Sequence, residues 1–223
     1  QINYISDEID EGDYDEDDRL YDQLQEALKE VDRRTKACRG KYPFATDNNS
    51  IIPNPECNDT HKLIYKYLLL ATRLNMTEHK LVNQINGTLL FEFLSSLVAK
   101  EYFGNKAESI VFGTGVQGGF REKINDLTQK LGEGGQYKDT EDSTHDEKDG
   151  GLDIVVWKPF SDKRKGKVIG FGQCKTGTEW RNEAGRLNPS DFCSIYFDRQ
   201  PLVTPVKMFF VSEIFRNNYE KLS

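Results

Sequence analysis

Two apolar segments stand close together, LDIVVW at 152–157 and KVIGFGQCK at 167–175, and they constrain this chain more than anything else in it. Their β-branched and aromatic residues suit a pleated surface. The nine residues between them, KPFSDKRKG, have the composition of a turn. A β-hairpin follows. With the turn centred near Lys163, paired residues have numbers that sum to about 326, so Asp153 lies opposite Gln173. Gln173 and Lys175 then share one face, and Cys174 points to the other.

The rest of the chain places this hairpin in an α/β context. ESIVF at 108–112 and VKMFFVSE at 206–213 read as further strands. Asn86-Gly87-Thr88 opens an apolar helix to about residue 103, with Gly104 as its stop. A polar helix is expected from Phe120 to Leu131, and a short one from Asn188-Pro189-Ser190 to about Phe197. Strands interleaved with helices indicate a mixed central sheet flanked by helices. Upstream, helical spacing is expected over 18–36 and 61–74, with a long connection at 37–59 and a short helical segment at 77–85. The expected organisation is an acidic, flexible tail at 1–17, a helical extension at 18–85 and the α/β core at 86–223.

Charge separates the same regions. The formal net charge is −7, but residues 1–30 hold twelve acids and two bases, which leaves 28 bases against 25 acids in the remainder. The body is therefore mildly basic, and nucleic acid is not excluded as a partner. The acidic start lacks the basic and then apolar pattern of a secretory leader, and no apolar run approaches the ~20 residues of a membrane span. Four scattered cysteines form no disulfide framework, so a reducing, cytoplasmic setting with no membrane is expected.

One edge of the hairpin gathers a carboxylate, an amide and an ammonium: Asp153, Gln173 and Lys175. Such a group suits metal-assisted phosphodiester hydrolysis. Asp153 is a hard oxygen ligand for Mg²⁺ or Mn²⁺, and the Gln173 amide oxygen and Cys174 carbonyl complete the protein's share. Lys175 assists water attack and stabilises the charge that develops. The plain alternative is a surface salt bridge between Asp153 and Lys175. Glu92 is a further candidate: its helical neighbours Thr88, Ser95, Ser96 and Ala99 make a small-residue face, opposite Leu90, Phe93, Leu94, Leu97 and Val98. Residues 158–186 carry eight bases and three acids, so Lys163, Arg164, Lys165 and Arg181 are expected to hold a phosphate backbone beside the site.

Asp149-Gly150-Gly151-Leu152-Asp153 followed by Gln173-Cys174-Lys175 resembles the PD-(D/E)xK, restriction-endonuclease-like nucleases, in particular the Mrr-like branch. Gly87-Thr88-Leu89-Leu90-Phe91-Glu92-Phe93-Leu94 looks like the helix that carries that family's glutamate. The resemblance covers about residues 86–213. It implies a restriction-endonuclease-like core, Mg²⁺-dependent cleavage of double-stranded DNA in bacterial restriction or antiphage defence, and a homodimer or a subunit of a larger defence complex. Glu92, Asp153, Gln173 and Lys175 would be catalytic, with Glu92, Asp153, Gln173 and Cys174 at the metal. Gln in place of the commoner Glu removes a charge from that site.

The rival readings are a catalytically weak DNA- or protein-binding module on the same fold, a structure-selective resolvase or repair nuclease, and a nucleotide-binding enzyme using Gly113-Thr114-Gly115-Val116-Gln117-Gly118. Cys57 and His61 have a zinc-like spacing without a second ligand pair, His145 lies in the loop before Asp149, and Trp180 is expected in the core.

Overall fold

The computed structural model describes residues 11–73, 80–113, 118–139 and 149–213. It divides into two compact units, one ending at Tyr67 and the other starting at Leu68. The division falls earlier than residue 86.

The smaller unit holds helix α1 (Glu11–Ala37), an antiparallel hairpin of β1 (Phe44–Asp47) and β2 (Ser50–Pro53), and the start of α2 (Asp59–Arg73). The connection at 37–59 is therefore a folded hairpin, not a bare linker. Its hydrogen bonds lie partly in Asn54, whose side-chain amide donates to the Gly40 and Tyr42 carbonyls at 2.9 Å each. Leu28 and Val31 of α1 and the Tyr42 ring are buried. Tyr42, Phe44 and Tyr65 meet edge to face. α1 begins at Glu11, seven residues before the expected start. Residues 1–10 of the expected tail lie outside the described residues.

The larger unit is a mixed α/β assembly on a four-stranded sheet of order β5-β6-β7-β8. The strands are β5 (Glu108–Val111), β6 (Ile154–Trp157), β7 (Ile169–Lys175) and β8 (Val206–Val211). The β5–β6 and β6–β7 pairs are antiparallel and β7–β8 is parallel. β6 pairs Ile154 with Gly172 and Trp157 with Ile169, which is the register expected from the sequence. β6 is buried at all four positions because both faces are covered. Val155, Trp157, Ile169 and Phe171 pack under α4 (Phe120–Leu131) and α5 (Pro189–Tyr196), with Ile124, Leu127, Leu131, Phe192 and Phe197. Ile154 and Val156 face α3 (Gly87–Phe103) through Ala99 and Phe103.

Gly170 and Gly172 let this second layer close. A β-carbon at Gly172 would stand 2.5 Å from Ile154 Cγ1. Asn86 caps α3 by accepting the Leu89 N–H at 3.1 Å, and Gly104 ends it in the left-handed region at φ 84°. Residues 81–86 are a hairpin of β3 (Leu81–Val82) and β4 (Ile85–Asn86), where a helical segment was expected. Asn83 and Gln84, both at positive φ, form its two-residue turn. Of the glycine-rich motif at 113–118, residues 114–117 lie outside the described residues, and so does His145. No described helix is long and apolar enough to cross a membrane.

Candidate active site

Asp153 sits at the entry to β6, where neighbouring strands fix it from both sides. Its N–H donates to the Gly172 carbonyl at 2.9 Å, and its own carbonyl accepts from the N–H groups of Phe112 and Gly113 at 2.7 and 3.0 Å. The side chain turns to β7: Oδ2 accepts the Cys174 N–H at 2.6 Å. A backbone held this way leaves the carboxylate little freedom, which is what a preorganised site needs.

Gln173 precedes Cys174 on β7 and is 1% exposed, yet among the described residues neither its amide oxygen nor its amide nitrogen has a hydrogen-bond partner. Leaving a buried amide unpaired costs about 1–3 kcal/mol, so it needs an explanation. Alternation along β7 sends Gln173 and Lys175 to the side of Phe171, and Cys174 to the α3 side with Gly170 and Gly172.

Glu92 approaches from α3. The buried side of this helix is Phe91, Glu92, Ser95, Ser96 and Ala99, the small-residue face. Leu97 and Phe93 on the opposite side are more than half exposed. Small residues let the helix lie close to the sheet, and Gly113 makes room for the carboxylate: a β-carbon there would stand 2.5 Å from Glu92 Oε2. The Cys174 thiol is held well above its ordinary pKa. Burial is the main cause, and the Asp153 and Glu92 carboxylates add to it against the opposing Ser95 hydrogen bond and Lys175. Glu92 and Asp153 therefore both act electrostatically on Cys174.

Lys175 is engaged by a further carboxylate. Its Nζ is 2.8 Å from Glu183 Oε2, in the 3₁₀ turn Glu179–Glu183. Glu183, not considered from the sequence, is thus an ion-pair partner of Lys175. Gly177, two residues on, donates its N–H to the Ala71 carbonyl of α2 at 2.9 Å, and Thr72 Oγ1 donates to Ser212 Oγ at 2.9 Å. The segment after Lys175 is thus anchored to the end of α2.

The expected cationic residues separate. Lys163, Arg164 and Lys165 sit in the β6–β7 turn, at the far end of the hairpin from Asp153. Strand rise alone puts roughly 16 Å between residues 153 and 158, so the turn does not lie beside the site. Arg181 stays at the site end, its guanidinium 4.7 Å from the Trp180 ring centre. Trp180 is half-buried rather than core, with Nε1 donating to Glu213 at 2.7 Å. Cys57, buried in the smaller unit, donates to the Lys41 carbonyl.

A hard divalent cation fits the donors present only in part through charge. Among the described residues no three of His, Cys, Asp and Glu stand close enough together to hold a metal. Asp153 and Glu92 would need the Gln173 amide oxygen and the Cys174 carbonyl to complete an all-oxygen set. The unpartnered Gln173 amide is the feature that such an ion would explain. Glu183 and Gly113 were not singled out from the sequence as site residues. The first lies eight positions beyond Lys175 in an irregular turn, and the role of the second depends on where α3 packs. Compared with known proteins, the chain matches no family model, no curated protein and no solved structure.

Proposed function

We propose that the larger unit is a Mg²⁺- or Mn²⁺-dependent DNA endonuclease on a restriction-endonuclease-like core, working in bacterial restriction or antiphage defence. The observation that carries this reading is the buried, unpartnered Gln173 amide beside an Asp153 carboxylate anchored at the end of β6. Asp153, Gln173 and the Cys174 carbonyl would hold the metal, with Glu92 adding charge from the α3 side. When bound, the ion would polarise a phosphoryl oxygen and favour hydroxide over water at neutral pH.

The protein's own residues do the rest. Asp153 would present its carboxylate to the ion from a position fixed by four backbone contacts. Lys175, once it leaves Glu183, supplies a cation for the negative charge that grows on the phosphate oxygens. Arg181 offers a cation to the flanking backbone phosphate at the same end. Cleavage of both strands of a duplex calls for two such sites, hence a dimer or a larger complex.

A second reading is favoured by a different observation. With two carboxylates where many metal sites have three, and Lys175 already paired, the same fold would serve as a DNA-binding module with weak or no cleavage. Incubation of the full chain with supercoiled plasmid, with Mg²⁺, with Mn²⁺ and with chelator, separates the two. Cleavage that needs the metal and is lost in Asp153→Asn supports the nuclease. Metal-independent binding with intact plasmid supports the module.

A further inference from the structure

We propose that a pocket at the opposite end of the hairpin, built by the β6–β7 turn and the loops at 132–135 and 198–202, binds a phosphate group. The pocket has a volume of about 300 Å³, and Thr128, Gly134, Gly135, Lys165, Arg199 and Gln200 contribute to its wall. That is room for one phosphate with a sugar attached, at the small end of ligand sites.

Its charge is the first argument. Lys165 and Arg199 both line the pocket, and the one carboxylate in its wall among the described residues, Glu133, is fully engaged. Glu133 Oε1 accepts the Gly166 N–H at 2.9 Å and Lys167 Nζ at 2.8 Å, and Oε2 accepts the Leu202 N–H at 3.1 Å. The Lys167–Glu133 pair is neutral as a unit, so Lys165 and Arg199 are the charges the lining has left, with the Asp198 carboxylate against Gly135 as a counter-charge. Asp198, next to Arg199, is outside the lining, but its carboxylate lies against Gly135, where a β-carbon would collide with Oδ1, and that oxygen accepts the Gln136 N–H at 2.7 Å. Arg164 is occupied elsewhere, its guanidinium 4.2 Å from the Phe160 ring centre and 3.8 Å from Asp162. Lys165 is therefore the residue of the turn that serves the pocket.

Preorganisation is the second argument. The buried pair ties the three segments together, with side chains only 4% and 2% exposed. Lys167 Nζ also donates to the Leu131 carbonyl at the end of α4, at 2.6 Å. Asp198 N–H to Gln136 and Arg199 N–H to Gly134, at 2.9 and 3.2 Å, join the two loops. A site already in its binding shape loses little entropy when it fills.

Backbone donors are the third. Gly134 and Gly135 lie at φ 90° and 75°, and neither N–H is hydrogen-bonded to any described residue. Gly134 is buried, where an N–H without a partner is rare. Glycine-rich turns with free N–H groups are a common way to hold a phosphate. The phosphate would come from a nucleic-acid backbone or from a free nucleotide. The proposal does not depend on Asp153 belonging to a nuclease, because this pocket lies at the other end of the sheet.

The test is a titration of the isotopically labelled full chain with inorganic phosphate, against chloride at equal ionic strength, followed at the Gly134 and Gly135 amides. Both amide signals should move saturably with phosphate. Lys165→Ala with Arg199→Ala should weaken that response by about tenfold or more, as loss of charged hydrogen bonds does. Two further arms identify the source. If the backbone of DNA is bound, affinity for a short duplex falls in the double variant with a flatter salt dependence, and a nucleoside monophosphate binds no better than phosphate. If a free nucleotide is bound, the monophosphate binds more tightly than phosphate and duplex affinity is unchanged. Amides that stay still with wild-type protein, or that move equally in the double variant, overturn the pocket. The wild-type titration decides the matter even if the variant fails to fold.

Discussion

Lys175 Nζ stands 2.8 Å from Glu183 Oε2, so the cation that the hairpin carries to the candidate active site is engaged by the 3₁₀ turn that follows it. Lys175 holds the Glu183 carboxyl below the ordinary carboxylate range, through its hydrogen bond first and its charge second, with a smaller contribution from Arg186. The pair's contribution is present above the ordinary carboxylate pKa and is lost as pH falls through the lowered value. Glu183 is largely solvated, so this contribution is small. Glu183→Gln should change Tm by no more than about 2 °C. Under the nuclease reading it should raise plasmid cleavage by up to about fivefold, since an exposed pair holds its lysine only weakly. A fall in cleavage with unchanged Tm would mean that Glu183 positions Lys175 and does not restrain it.

Asp153→Asn and Lys175→Ala each remove a charge at the end of the sheet without removing core volume. Each should lower metal-dependent cleavage by ~100-fold or more while leaving duplex binding in place. Plasmid cleavage and a parallel binding titration check both halves. Wild-type cleavage by either variant would end the assignment of the reaction to this end of the hairpin.

Gln173→Met tests the meaning of the unpartnered amide. A buried amide with no hydrogen bond contributes nothing that an apolar side chain of similar length cannot, so metal-free Tm should hold or rise. Any rise of Tm with added Mg²⁺ or Mn²⁺ should be lost in the variant. A drop of several degrees without metal would show that the amide has partners in solution.

Gly113→Ala places a β-carbon 2.5 Å from Glu92 Oε2, and the end of a side chain can move where backbone cannot. The stability cost should be small, below about 1.5 kcal/mol, while the Glu92 carboxylate is displaced. Thermal unfolding close to wild type together with reduced cleavage is the expected pair of results. Equal losses in both would place the role of Gly113 in packing alone.

The Glu133–Lys167 pair is buried, and burial pushes the Glu133 carboxyl up while Lys167 and the Leu202 and Gly166 N–H groups bring it below its ordinary value. Stability from Glu133 is present above the ordinary carboxylate pKa and is lost as pH falls through the lowered one. Lys167→Met leaves a buried carboxylate without its cation and should cost about 3–5 kcal/mol, or roughly 6–20 °C in Tm. Glu133→Gln combined with Lys167→Met should be milder than the single lysine change. Thermal unfolding of the wild type and the two variants between pH 4 and 7 checks both statements.

The hairpin register was legible in the sequence because turn composition and strand alternation are local. Residues 152–157 and 167–175 can pair in essentially one way around Lys163, and the paired run from Trp157–Ile169 to Ile154–Gly172 brings Asp153 to the start of β6, where its carboxylate accepts the Cys174 N–H. Caps were legible for the same reason: Asn86, Gly104 and Asn188 act on backbone groups within four residues of themselves. Glycine and asparagine at turns left more room for error, as the hairpins at 44–53 and 81–86 show.

Tertiary packing decided the rest. Apolar Phe93 and Leu97 look like the buried side of α3, but the sheet accepts only the small face, since Gly170, Gly172 and Gly113 leave room for close approach there. Which carboxylate meets Lys175, and how far the basic turn lies from Asp153, depend on where separate segments fold in space. No spacing along the chain encodes those distances, because they are set by how helices and loops from distant positions pack on the two faces of one sheet.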